Sequence, residues 1–131
     1  MGKRNRMPVI LAFGGFDPTG GAGVLMDSRA AAAAGVHVCA VVSCLTVQTT
    51  ASFYRFASVP RDVLDESLAA AAKSFHLRTV KVGMVGTRAA AEAILTFIAA
   101  RRDLPLVLDP VLRSSSGAPL LSSSALPAYR Q

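Results

Sequence analysis

Aromatic side chains are scarce in this sequence, which has no tryptophan, two tyrosines and six phenylalanines. They do not alternate with basic residues as single-strand nucleic-acid platforms require. Acidic residues are also few: eight Asp and Glu stand against 14 Lys and Arg, for a formal net charge of +6. Such an excess raises nucleic acid as a partner, but the cations are dispersed. Lys3, Arg4 and Arg6 lie at the start, and the rest are scattered from Arg29 to Arg130 with no basic helix. The charge reads as a solvated surface, and nucleic acid is not expected as a partner.

The two cysteines, Cys39 and Cys44, match no C-x-x-C spacing and lie in an apolar stretch. They are expected to be buried, reduced thiols. His37 and His76 are isolated and carry no partner motif, so no metal site is expected.

Long apolar runs are missing as well. The basic start followed by Val9–Phe13 has the order of a signal peptide, yet the apolar part is too short for one. Ala30–Val47 has only His37, Cys39 and Cys44 as ionisable side chains. A spanning helix needs about 20 strongly apolar residues. Here alanines, then Gly35, then β-branched residues describe a helix, a stop and a buried strand instead. No membrane segment is expected, and the chain reads as cytoplasmic.

What is present is a 52% apolar, 17% charged chain of 131 residues. That is one domain, able to bury about two thirds of its unfolded surface. Residues 1–7 read as a disordered basic leader. Pro8–Phe13 predicts a strand buried on both faces, followed by a glycine loop and a helix over about 21–34 that Gly35 stops. Val36–Ser43 predicts a second strand, and Phe53, Tyr54 and Phe56 a short strand or flap. Pro60 opens a helix to about Phe75, with Val63, Leu64, Leu68, Ala71 and Phe75 on its apolar face.

Thr79–Val82 predicts the next strand. Thr87 caps a helix to about Arg102, with Ala91, Ile94, Leu95 and Ile98 inward and Arg101 and Arg102 in its last turn. Leu106–Leu108 is a further strand, and a Ser/Gly/Pro loop over 113–124 precedes a possible last helix. Strand–helix alternation with right-handed crossovers implies a three-layer αβα fold around a mostly parallel sheet. In such sheets ligands lie beyond the carboxyl ends of the strands. Asp17, Gln48, Gly83-Met84 and Asp109-Pro110 all fall there, which points to a small-molecule site.

The chain is organised around Phe13–Asp27, F-G-G-F-D-P-T-G-G-A-G-V-L-M-D, with five glycines in ten positions. Each costs roughly 0.5–1 kcal/mol relative to alanine in regular structure, so a sharp turn or a close approach is implied. The stretch is not a phosphate loop: no lysine follows Gly20 or Gly21 as G-x-x-x-x-G-K-[ST] demands. Nor is it G-x-G-x-x-G, which counted from Gly21 would need glycine at Met26.

G-G-F-D-P-T-G-G-A-G-V-L-M-D resembles the opening motif of the hydroxymethylpyrimidine and phosphomethylpyrimidine kinases of thiamine biosynthesis. These belong to the ribokinase-like superfamily, which also holds pyridoxal kinases. V-V-S-C-L-T-V-Q-T-T, V-K-V-G-M-V, V-L-D-P-V-L and S-S-G-A-P-L-L follow in the family's order, covering Pro8 to about Leu121. The resemblance implies a pyrimidine pocket, with Asp27 and Gln48 meeting polar groups and Gly15, Ala22, Met84 and Val111 lining the ring. Gln48 can donate and accept at an aminopyrimidine edge, and Met84 offers a polarisable contact.

The sequence departs from the family at Thr49, where asparagine is usual, and at Ser115 and Ala118, where lysine and aspartate are common. It also has no G-T-G-C loop. In the family that loop lies in a second half, with the catalytic base and most of the site for ATP and Mg²⁺. Residues 8–131 are therefore expected to be the N-terminal, substrate-side part of such a kinase, with no catalytic residue in the chain and no activity alone. Self-association or pairing with a missing C-terminal half is expected. A non-catalytic small-molecule binding module, a truncated product and a pyridoxal kinase relative are the alternatives.

Overall fold

A computed structural model describes residues 7–130. Residues 1–6, most of the expected leader, lie outside the described residues; Met7 precedes the first strand and is exposed.

Chain order is β1 (Val9–Phe16), α1 (Gly23–Ala33), β2 (His37–Gln48), β3 (Phe53–Ser58), α2 (Arg61–Ser74), β4 (Leu77–Val82), α3 (Arg88–Ala100), β5 (Leu106–Leu108) and α4 (Leu126–Tyr129). The five strands form one sheet in the order β3-β2-β1-β4-β5. β1 is central and parallel to β2 and β4, β5 is parallel to β4, and β3 is antiparallel to β2. The mostly parallel α/β sheet is thus as expected.

Right-handed connections decide where the helices go. From β1 the chain moves to β2 on one side, whereas β3 to β4 and β4 to β5 run the other way. α1 therefore covers one face, and α2 and α3 cover the opposite one. On the second face Leu11, Phe13, Val41, Val80 and Val82 pack with Leu64 and Leu68 of α2 and Ile94 of α3. On the first face α1 is thin cover: Val24 is its buried residue. β1 and β4 are neighbours whose following helices leave to opposite faces, so a crevice opens at their carboxyl ends.

Several elements differ from their sequence expectation. β1 runs on through Gly14, Gly15 and Phe16, so two of the loop's glycines are strand residues, both buried. β2 extends to Gln48 because β3 pairs with its second half, and the flap is a true antiparallel strand. α1 starts at Gly23 rather than 21, with Ala22 as its cap residue. Val63 is 45% exposed and does not join Leu64, Leu68 and Ala71 in the core. Arg101 lies just beyond α3, where it pairs with Asp103 at 3.1 Å instead of sitting in the last turn.

Cys44 is fully buried, but Cys39 is only partly so. The last strand departs most. Leu106, Val107 and Leu108 are 46%, 53% and 49% exposed, at the edge of the sheet. Other details are as read: Thr87 caps α3 by accepting from the Ala90 amide at 3.3 Å, and Gly35 ends α1 with φ +71°.

Candidate functional site

The carboxyl ends of β1, β2, β4 and β5 enclose a cleft of about 460 Å³. Its floor is made by two strand glycines. A β-carbon on Gly15 would come within 3.0 Å of the Met84 sulfur and 3.4 Å of the Cys44 sulfur. Glycine there leaves the thioether room to lie against the strand. Gly23 lets α1 begin against β1: its φ is +62°, and an added β-carbon would collide with the Gly15 carbonyl.

The turn between them is held by Asp17, a buried carboxylate whose Oδ1 accepts from the Thr19 amide (2.8 Å) and Oδ2 from the Thr19 hydroxyl (3.0 Å). The Gly20 amide donates to the Asp17 carbonyl (3.0 Å) and the Gly21 amide to the Thr19 hydroxyl (3.3 Å). These amides are used within the turn and are not free to cradle a phosphate.

β2 contributes through a bulge. Gly14 pairs with Val42 and Gly15 with Cys44, which leaves Ser43 extra. Bulges re-aim side chains at strand ends, and here the fully buried Ser43 hydroxyl donates to the Met84 carbonyl at 2.6 Å. Three residues on, the buried Thr46 hydroxyl donates to the Phe16 carbonyl (2.8 Å) and accepts from Gln48 Nε2 (2.8 Å). The Gln48 amide is thereby oriented, with its oxygen and one N–H left for a ligand.

Gly15, Ala22, Asp27, Gln48, Met84 and Val111 all line this one cleft. Thr46 and Phe53 join them, as do three residues that the sequence did not single out for a site: Lys81, Arg113 and Leu120. Lys81 is the most consequential of these. Its Nζ lies 3.0 and 2.9 Å from the two Asp27 carboxylate oxygens and 4.0 Å from Asp109. A cation set between two valines, Val80-Lys81-Val82, was the available signal. A larger cleft, about 610 Å³, lies at the amino-terminal end of the sheet beside Pro8, Phe75 and His76. It lies away from the strands' carboxyl ends and brings together none of the residues that the motifs point to.

A model of the family described as phosphomethylpyrimidine kinase matches residues 17–131. The chain belongs to the phosphomethylpyrimidine kinase family. A hydroxymethylpyrimidine/phosphomethylpyrimidine kinase of Aquifex aeolicus is 37% identical over 118 residues, covering 90% of this chain and 46% of that protein. The crystal structure of a phosphomethylpyrimidine kinase from Clostridium difficile superposes with a TM-score of 0.82 at 28% identity, over 94% of this chain and 53% of the other. A pyridoxal kinase of Bacillus subtilis, solved as an ADP complex, shares the fold with a TM-score of 0.78 at 20% identity, over 95% and 45% of the two chains. The ribokinase-like α/β fold is thus shown, and the chain spans about half the length of these relatives.

A kinase family implies ATP, and the glycine turn does not fit its phosphates. The glycine turn has no lysine and its Gly20 and Gly21 amides are engaged. Among the described residues no group of three or more His, Cys, Asp or Glu could hold a metal ion. Two of the carboxylates lining the cleft, Asp27 and Asp109, already share Lys81.

Proposed function

We propose that this chain is the substrate-side part of a hydroxymethylpyrimidine/phosphomethylpyrimidine kinase, binding a hydroxymethylpyrimidine or its monophosphate. The convergence of Asp27, Gln48, Met84 and Val111 on one cleft at the β1/β4 crevice carries the reading. The free oxygen and N–H of Gln48 match the donor–acceptor edge of an aminopyrimidine. Asp27 accepts from the hydroxymethyl group, Met84 and Val111 lie against the ring, and Gly15 and Ala22 keep the walls low enough for it to enter.

In this reading residues 8–131 form the N-terminal part of the kinase domain. Phosphoryl transfer needs charge stabilisation around the moving group, and the residues described here do not supply it. The site for ATP and Mg²⁺ comes from the part of the fold that the relatives hold outside the matched span. The β5 edge is where that part, or failing it a second copy, pairs. No helix among the described residues is long and apolar enough to cross a membrane, in keeping with a cytoplasmic enzyme.

Calorimetric titration of the chain with hydroxymethylpyrimidine and with pyridoxal tests the proposal. Pyrimidine binding that is tighter than pyridoxal binding, and abolished by Gln48→Ala, is expected. Tighter pyridoxal binding would move the substrate to the vitamin B6 class. Turnover of the pyrimidine by the isolated chain with Mg-ATP would show that the phosphoryl-transfer apparatus is present after all.

A further inference from the structure

Lys81 sits between the buried Val80 and Val82 near the carboxyl end of β4. It lies on the α1 face of β4, in register with Ala12 of β1, with its side chain 21% exposed. Its ammonium group meets both oxygens of Asp27, itself only 22% exposed. The surroundings are shaped for it. A β-carbon on Gly83 would come within 3.0 Å of Lys81 Nζ, so glycine at that position opens the space that the ammonium fills. The other cation lining the cleft, Arg113, is engaged elsewhere, donating to the Gly117 carbonyl at 3.0 Å.

An ammonium has three donors and no acceptor. Two of them on one carboxylate fix its rotation, so that the remaining lone pairs of its oxygens keep one direction toward anything entering the cleft. We propose that Lys81 is a positioning residue: it holds Asp27 so that the cleft selects a ring bearing a hydroxymethyl donor over the same ring bearing a methyl group. Asp109, 4.0 Å from Nζ, supplies a second anion that keeps the ammonium in place. The inference rests on the pyrimidine reading above and adds to it a source of specificity that acts through Asp27 rather than on the ligand.

The test uses the full chain with Asp27→Ala, Lys81→Met and both together, titrated with hydroxymethylpyrimidine and with its 5-methyl analogue. The unaltered chain is expected to prefer the hydroxymethyl compound by about tenfold or more, the usual scale for a hydrogen bond to a charged group. Each single variant is expected to lose that preference while binding the methyl analogue as before, which also reports an intact cleft. The double variant is expected to lose no more than Asp27→Ala does, because Lys81 acts only through that carboxylate.

Preference retained in Lys81→Met overturns the inference, and so does a further loss in the double variant, which would mean direct contact with the ligand. Should Lys81→Met not bind even the methyl analogue, Lys81→Arg decides. Restored preference supports the positioning role, and loss of both ligands assigns Lys81 to packing. Binding of neither ligand by the unaltered chain refutes the pyrimidine reading instead. The pairing itself is then read without ligand, by reductive methylation of Lys81: slower in the unaltered chain than in Asp27→Ala supports it, and equal rates overturn it.

Discussion

The carbonyl oxygen of Gly15 occupies the place where a side chain on Gly23 would have to go. These two glycines, one a residue short of the end of the central strand and the other opening the first helix, bring the main chain together at the edge of the cleft. Gly23 also has φ +62°, so both steric crowding and backbone conformation demand glycine.

Replacing it should therefore be costly. Gly23→Ala is expected to destabilise the chain by more than about 2 kcal/mol, since the left-handed backbone alone costs roughly 1–2 kcal/mol in a non-glycine residue. Gly35 is the control: its φ is +71°, but nothing lies within 4 Å of an added β-carbon. Gly35→Ala should cost only the backbone part, about 1 kcal/mol. Urea unfolding midpoints of the two variants check this, and equal losses would sink the steric argument.

Gly15 poses a milder problem. A β-carbon there meets the sulfur ends of Met84 and Cys44 rather than backbone, and the end of a methionine can move. Gly15→Ala is expected to fold, but to push Met84 into the cleft and weaken pyrimidine binding by about tenfold, or roughly 1.4 kcal/mol. Calorimetry gives the affinity and circular dichroism the fold. Unchanged affinity would show that Met84 does not face the ligand.

The β5 edge has an exposed residue at each of its three positions, and unpaired edges promote association. Light scattering of the isolated chain is expected to show a mass that rises with concentration. Val107→Lys should lower that association at a cost to stability of no more than about 0.5 kcal/mol, as for most surface changes. A concentration-independent monomer in the unaltered chain would count against the edge as a pairing surface.

The thiols give a pH dependence. Burial pushes the Cys44 thiol up, with the Ser43 hydroxyl pulling partly the other way, and burial raises Cys39 as well. The folded chain thus keeps these protons to higher pH than the unfolded chain. Stability is full below the ordinary thiol value of about 8.5 and is lost as pH rises past it. Urea midpoints between pH 7 and 10 should fall less in a Cys39→Ala, Cys44→Ala double variant than in the unaltered chain. Ellman's reagent at neutral pH should reach the partly exposed Cys39 before Cys44.

The sequence by itself determined the family, the αβα order of elements, the helix stop at Gly35 and the helix start at Thr87, and the set of motifs that meet in the cleft. Periodicity, capping and motif spacing are local, so they survive without coordinates. Only the tertiary structure decided the rest. Gly14 and Gly15 are strand residues because β2 goes on pairing with them beyond Phe13, where the pairing with β4 stops, which no glycine count can show. β2 reaches Gln48 only because β3 returns to pair with it. Ser43 turns to Met84 because the bulge leaves it without a partner in β1. Lys81 read as one of many scattered cations until the sheet and α1 placed it against Asp27, a residue 54 positions away. Such pairings depend on which elements the topology makes neighbours, and the Phe13–Asp27 stretch acquires its role only from them: a close-packed turn that fixes one carboxylate beside a lysine from another strand.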